Sequence, residues 1–135
     1  MSPDARLMFG IGLIIIPTII YGGLAILGVI SNRTMGLPGP PNLSPTQVGY
    51  YRAGHAHAGV LTLLALLLQI GIDNAALPPS LVWPFRIAAV AAAVLVSGGF
   101  VAVAHSRALR WLLYFGVALL IATTLTVGIG MVVAR

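Results

Sequence analysis

Three histidines, seven arginines and two acids carry nearly all the ionic chemistry open to this chain of 135 residues. Two of the histidines stand one residue apart in the stretch YYRAGHAHAG, Tyr50–Gly59, and the third is His105. Imidazole does two kinds of work near neutral pH: it ligates metals, haem iron included, and it exchanges protons. The chain has no cysteine, which excludes disulfides, thiolate metal sites, iron–sulfur clusters and a thiol nucleophile. His55, His57 and His105 are therefore the strong ligands that a metal ion or a haem could use, with four methionines as softer donors. Arg52, Arg107 and Arg110 stand close to them in sequence and could hold haem propionates through charge-assisted hydrogen bonds.

The spacing limits what the pair can do. A helix turns about 100° per residue, so His55 and His57 point roughly 200° apart. Two ligands on one undistorted helix need i, i+4 spacing, so the pair cannot grip one metal alone. One of the two can face the bundle interior, while the other faces a second subunit, a lipid headgroup or a loop. His55 or His57 could then meet His105 across two facing helices, as ligands in helical bundles do.

The elements that must position these residues are membrane helices. The sequence is 59% hydrophobic and 7% charged, against roughly 25% charged in an ordinary soluble domain. Such a chain cannot cover itself in water, and its length fits one bundle. Four apolar runs of spanning length, at about 7–30, 50–72, 82–104 and 111–134, define an all-α, integral membrane four-helix bundle forming a single domain. The first run exceeds the apolar stretch of about 7–15 residues in a signal peptide and lacks an A-x-A site, so it is expected to be a retained helix, kinked at Pro17.

A connector over 31–48 follows, with Gly36, Pro38, Gly39, Pro40 and Pro41. This composition is incompatible with a helix and fits a stiff extended segment over the bundle end. Ser44-Pro45-Thr46-Gln47 reads as a capping box, which starts the second helix near Pro45, ahead of its apolar stretch. From Pro45 to Ile72 that helix is roughly 40 Å long, so His55 and His57 fall just inside one membrane boundary. Asp73-Asn74 ends it. Small residues between Ala88 and Gly99 imply tight helix contact and self-association, and the short turn at 105–109 makes the last two helices antiparallel neighbours.

Four spans put the termini and the 73–80 loop on one side, and the connector and the 105–109 turn on the other. All three histidines fall on the connector side, with Arg33, Arg52, Arg107 and Arg110. Arg6, Arg86, Arg135 and both acids, Asp4 and Asp73, fall opposite. Four cations against three make the connector side cytoplasmic by the positive-inside rule. Trp83 and Arg86 are expected as interfacial anchors of the third span. The net charge of +5 reflects arginines flanking apolar runs, an anchoring pattern, and no nucleic-acid partner is expected.

Besides ligation, two other uses of the histidines fit the same pattern. They could be interhelical hydrogen-bond groups in a structural or accessory subunit, each contact worth about 1 kcal/mol. They could also handle protons, beside a quinone or in a carrier or channel for a small solute or ion, although no acid lies inside a span. Hydrolase chemistry lacks its parts: no span holds paired carboxylates or a Ser/His/Asp arrangement.

The string Arg52-Ala53-Gly54-His55-Ala56-His57-Ala58-Gly59 resembles the H-x-H-x-x-G style signature of small bacterial four-span membrane proteins related to subunit I of the cbb3-type cytochrome oxidases. There a histidine pair opens a membrane helix and a long aliphatic run follows. The chain also resembles actinobacterial integral membrane proteins whose second helix opens with R-A-G-H-A-H-A-G; that likeness covers more of the chain and implies no activity. The oxidase likeness implies haem b ligation by His55 or His57, in a bacterial inner membrane. It does not extend to oxygen reduction, because the chain has too few histidines and helices for a haem–copper centre. The sequence thus leads to an electron-transfer, sensing or cofactor-handling membrane protein that binds haem b or a metal ion through His55, His57 and His105. Arg52, Arg107 and Arg110 line the same end, and the partners are the bilayer and either further copies of the chain or a larger membrane complex.

Overall fold

The computed structural model describes residues 1–34 and 43–134. Four long helices follow one another: α1 (Pro3–Thr34), α2 (Pro45–Asp73), α3 (Pro79–His105) and α4 (Arg110–Val133), with one turn of 3₁₀ helix, Arg107–Leu109, before the last. All four are long and apolar enough to cross a membrane. The central part of the connector, 35–42, and the terminal Arg135 lie outside the described residues, as does the expected extended segment with its prolines.

α2 begins where its capping box predicts. The Ser44 side chain accepts from the Gln47 backbone N–H, and the Gln47 side chain accepts from the Ser44 backbone N–H. Pro45 follows at the first helical position, where a missing N–H costs nothing. α1 runs through Pro17 as one helix, and Thr18 Oγ1 donates to the Ile15 carbonyl 2.6 Å away on the turn before it.

α3 is the centre of the bundle, packed along α2 on one side and α4 on the other. Glycine sets the closeness of both seams. A Cβ on Gly99 would lie 2.8 Å from Leu113 Cα, and one on Gly116 would lie 2.8 Å from the Val96 backbone nitrogen. The two glycines admit each other's helix, which makes α3 and α4 the antiparallel neighbours that their short link implies. Ala65, Leu68, Ile72, Ala89 and Val127 join α2, α3 and α4 in one apolar cluster, while Leu61, Ala93 and Val96 form a second.

α1 is attached differently. It packs on α2 and touches α3 only briefly. Its first turns are fixed: Ala5 and Met8 are buried, and Ser2 Oγ donates to Asp73 Oδ1 at the end of α2, 2.8 Å away. Further along, from Pro17 to Gly28, no residue is fully buried.

The third span corrects one expectation. Arg86 is not an interfacial anchor; at 2% exposure it is the largest fully buried side chain among the described residues. Its Nη2 donates to Asp73 and to Ser2 Oγ, and its Nη1 donates to the Gln69 carbonyl and side-chain oxygen at 3.2 and 3.3 Å. Gln69 Nε2 returns a bond to the Arg86 carbonyl at 3.2 Å. The reason is rotational phase: Arg86 lies on the face of α3 that meets α2, where a charge persists only if paired and hydrogen-bonded.

Candidate functional site

The bundle brings His55, His57 and His105 to one end, in three separate settings. His55 is half-buried, and its ring rests over Gly23 of α1: a Cβ there would lie 2.7 Å from both Cε1 and Nε2. It has no hydrogen-bond partner among the described residues. His57 is exposed, with Nδ1 2.8 Å from the Ala53 carbonyl and its ring 4.7 Å from that of Phe100. A carbonyl only accepts, so Nδ1 carries the proton in that bond. His105 is exposed and pairs with Tyr51: Nε2 stands 2.7 Å from the phenol oxygen, and the rings meet edge to face. His55 and His57 diverge as their spacing requires. Among the described residues no group of three or more histidines and acids could hold a metal ion.

Of the three, His55 borders an apolar cleft. Two cavities lie between α1 and α3 on a floor made by α2, with volumes of about 240 and 380 Å³. They share Ile19, Ala58, Ser97 and Gly98, so they form one cleft. His55 and Tyr51 line its connector end and Thr62 its far half. Ser97, from α3, stands where the two cavities join. It is 9% exposed, and its hydroxyl has no hydrogen-bond partner. Everything else on the walls is apolar or glycine. The cleft exists because α1 leans on α2 without closing on α3, and because Gly22 and Gly98 put no side chain into it.

The arginines take other places. Arg52, Arg107 and Arg110 are exposed, and none lines the cleft. Arg107 instead borders a small polar hollow of about 200 Å³ with His105, Ser44 and Gln47. Gln47 Nε2 crosses there to the Ala104 carbonyl at 3.1 Å, tying the start of α2 to the end of α3.

These positions define how haem b, the cofactor expected from sequence, relates to the site. Ligation by His55 requires the ring to turn off Gly23 into the cleft, and no cation lines the walls to take the propionates. His57 and His105 do not line the cleft, so neither stands as a second axial ligand across it.

Two features escape the sequence. Ser97 carries no signal beyond one hydroxyl in a run of small residues. The Asp73–Arg86 pair has a faint one: opposite charges flank a short loop on the same side of the membrane, an arrangement that hairpins use. No protein-family model, no curated protein and no solved structure matches the chain.

Proposed function

We propose that this protein is a small ligand-binding protein of the bacterial inner membrane. It takes a lipophilic molecule from the bilayer into the cleft between α1 and α3 and holds its polar head near His55, for electron transfer, sensing or cofactor handling. One observation carries the reading: His55, free of hydrogen bonds among the described residues, lines a cleft between α1 and α3 whose other walls are almost wholly apolar. Walls that are almost wholly apolar, with a few placed polar groups, are the usual composition of a small-molecule site.

Haem b bound through His55 is one occupant of this class. The test begins with a visible absorption spectrum of the protein purified in mild detergent, as isolated and after reduction, followed by mass spectrometry of what organic solvent extracts from it. The expected result is a bound lipophile present in the wild type and lost from His55→Ala. Equal contents in the two proteins overturn the reading. For His105 the contact with Tyr51 favours a structural role, an interhelical hydrogen bond between α2 and α3.

A further inference from the structure

A second polar feature lies apart from the cleft, at the connector end of the bundle. There the start of α2 and the end of α3 enclose the hollow of about 200 Å³ bordered by Ser44, Thr46, Gln47, Tyr50, His105 and Arg107. Its depth follows from the length of α2. That helix has 29 residues, roughly 40 Å, against a hydrocarbon core of about 30 Å that ~20 residues cross. Residues 60–72 are apolar apart from Thr62 and Gln69, so the excess falls at the other end, in residues 45–52. The hollow therefore lies outside the hydrocarbon, at the level of the lipid headgroups.

The free polar groups around it can all donate a hydrogen bond. The Gln47 carboxamide is already occupied in both directions, by the Ser44 backbone N–H and the Ala104 carbonyl. The Ser44 hydroxyl accepts from the Gln47 backbone N–H and keeps its own proton to donate. With Tyr51 donating to Nε2 of His105, the other ring nitrogen carries a proton and is free. The Arg107 guanidinium makes no hydrogen bond or ion pair among the described residues. No acid of the chain supplies it with a counter-charge. Asp4 and Asp73 are the only two, and both lie at the opposite end of the bundle, beside Ser2 and Arg86.

An unpaired guanidinium among donors, outside the hydrocarbon and far from any carboxylate, matches a phosphate, whose charged oxygens accept. We propose that this hollow seats the phosphate of an anionic phospholipid. Arg107 supplies the charge, and Ser44, Thr46 and His105 add hydrogen bonds, so one headgroup bridges the start of α2 and the end of α3. A zwitterionic lipid brings its own cation, which no carboxylate there can meet. The site is separate from the cleft and does not depend on what the cleft holds.

The full chain in mild detergent is titrated with phosphatidylglycerol and with phosphatidylcholine, and the lipid bound per chain is counted by native mass spectrometry. The expected result is one phosphatidylglycerol per chain, bound about ten-fold more tightly than phosphatidylcholine. Arg107→Gln is expected to abolish that preference, since loss of one charge-assisted hydrogen bond weakens binding about ten-fold or more. Thr46→Ala, which leaves the capping box intact, is expected to weaken phosphatidylglycerol about three-fold. Arg110→Gln removes the same charge from an exposed arginine that does not border the hollow, and is expected to leave the preference unchanged. Equal binding of the two lipids to the wild type overturns the proposal. So does an equal loss in Arg107→Gln and Arg110→Gln, which would make the attraction a property of overall charge. Glycerol 3-phosphate is the third probe. If it binds as tightly as phosphatidylglycerol and is lost in Arg107→Gln, the ligand is a soluble phosphate ester and the lipid is overturned.

Discussion

The guanidinium of Arg86 on α3 reaches back along its helix to the carboxylate of Asp73, the last residue of α2, and the two form an ion pair within the bundle. Gln69 and Ser2 complete the coordination of the guanidinium, apart from its Nε, which is buried without a partner. The pair therefore joins three helices at the end opposite the histidines. Removing one member of a buried pair strands the other, at a cost of about 3–5 kcal/mol. Asp73→Ala is expected to destabilise the detergent-solubilised protein by an amount of that order, as measured by reversible denaturant unfolding. The joint change Asp73→Asn with Arg86→Met is expected to recover most of it, since no charge is then left alone. A loss below about 1 kcal/mol in Asp73→Ala would show the pair to be incidental.

The seam between α3 and α4 offers a steric test. Gly99 and Gly116 each face the other helix at distances that no Cβ tolerates. Gly99→Ala and Gly116→Ala are expected to force the helices apart and to cost ~1–3 kcal/mol each, as overpacking does. Gly10→Ala is the control: a Cβ there meets nothing within 4 Å, and alanine is the better helix former by about 1 kcal/mol. Equal melting temperatures for the three variants would mean that the seam is looser than described.

Gly23 holds a place for the ring of His55, and that can be read at the ring itself. Gly23→Ala puts a methyl group 2.7 Å from where Cε1 and Nε2 now lie. The imidazole is expected to swing off α1 toward the cleft. Nuclear magnetic resonance of the histidine ring protons should then show one shifted resonance, that of His55, with those of His57 and His105 unmoved. Three unchanged resonances would place His55 away from α1.

The Tyr51–His105 contact is exposed, and hydrogen bonds of this kind between membrane helices average about 0.6 kcal/mol. Tyr51→Phe and His105→Ala should each cost no more than roughly 1 kcal/mol, and a double-mutant cycle should return most of that as coupling. Coupling indistinguishable from zero would remove the contact from any account of stability.

The four helices are legible because length and apolarity together leave one solution, and Ser44 with Gln47 locates the start of α2 to the residue. What lies on each face is less legible, because it depends on the phase of one helix against the next. Arg86 illustrates this. An arginine two turns into a span has the same sequence context whether its side chain climbs to the interface or turns inward to a partner. His55 and His57 illustrate it again: their divergence follows from helical geometry, but which one faces α1 follows from Gly23, on a different helix. Ser97 becomes noticeable only in the structure, where its hydroxyl is buried on α3 without a hydrogen-bond partner.

The Asp73–Arg86 pair also bears on how the chain enters the membrane. A charged residue in an inserting segment opposes partitioning, by about 2.5–3.5 kcal/mol at the segment's centre and by less toward its ends, where Asp73 and Arg86 lie. These two residues flank one short loop, so they arrive together and can neutralise each other while α2 and α3 insert as a hairpin. α1 emerges earlier from the ribosome, but its fixed end rests on Asp73 and Arg86 through Ser2, more than seventy positions downstream. That end can therefore make these bonds only once both residues of the hairpin are in place.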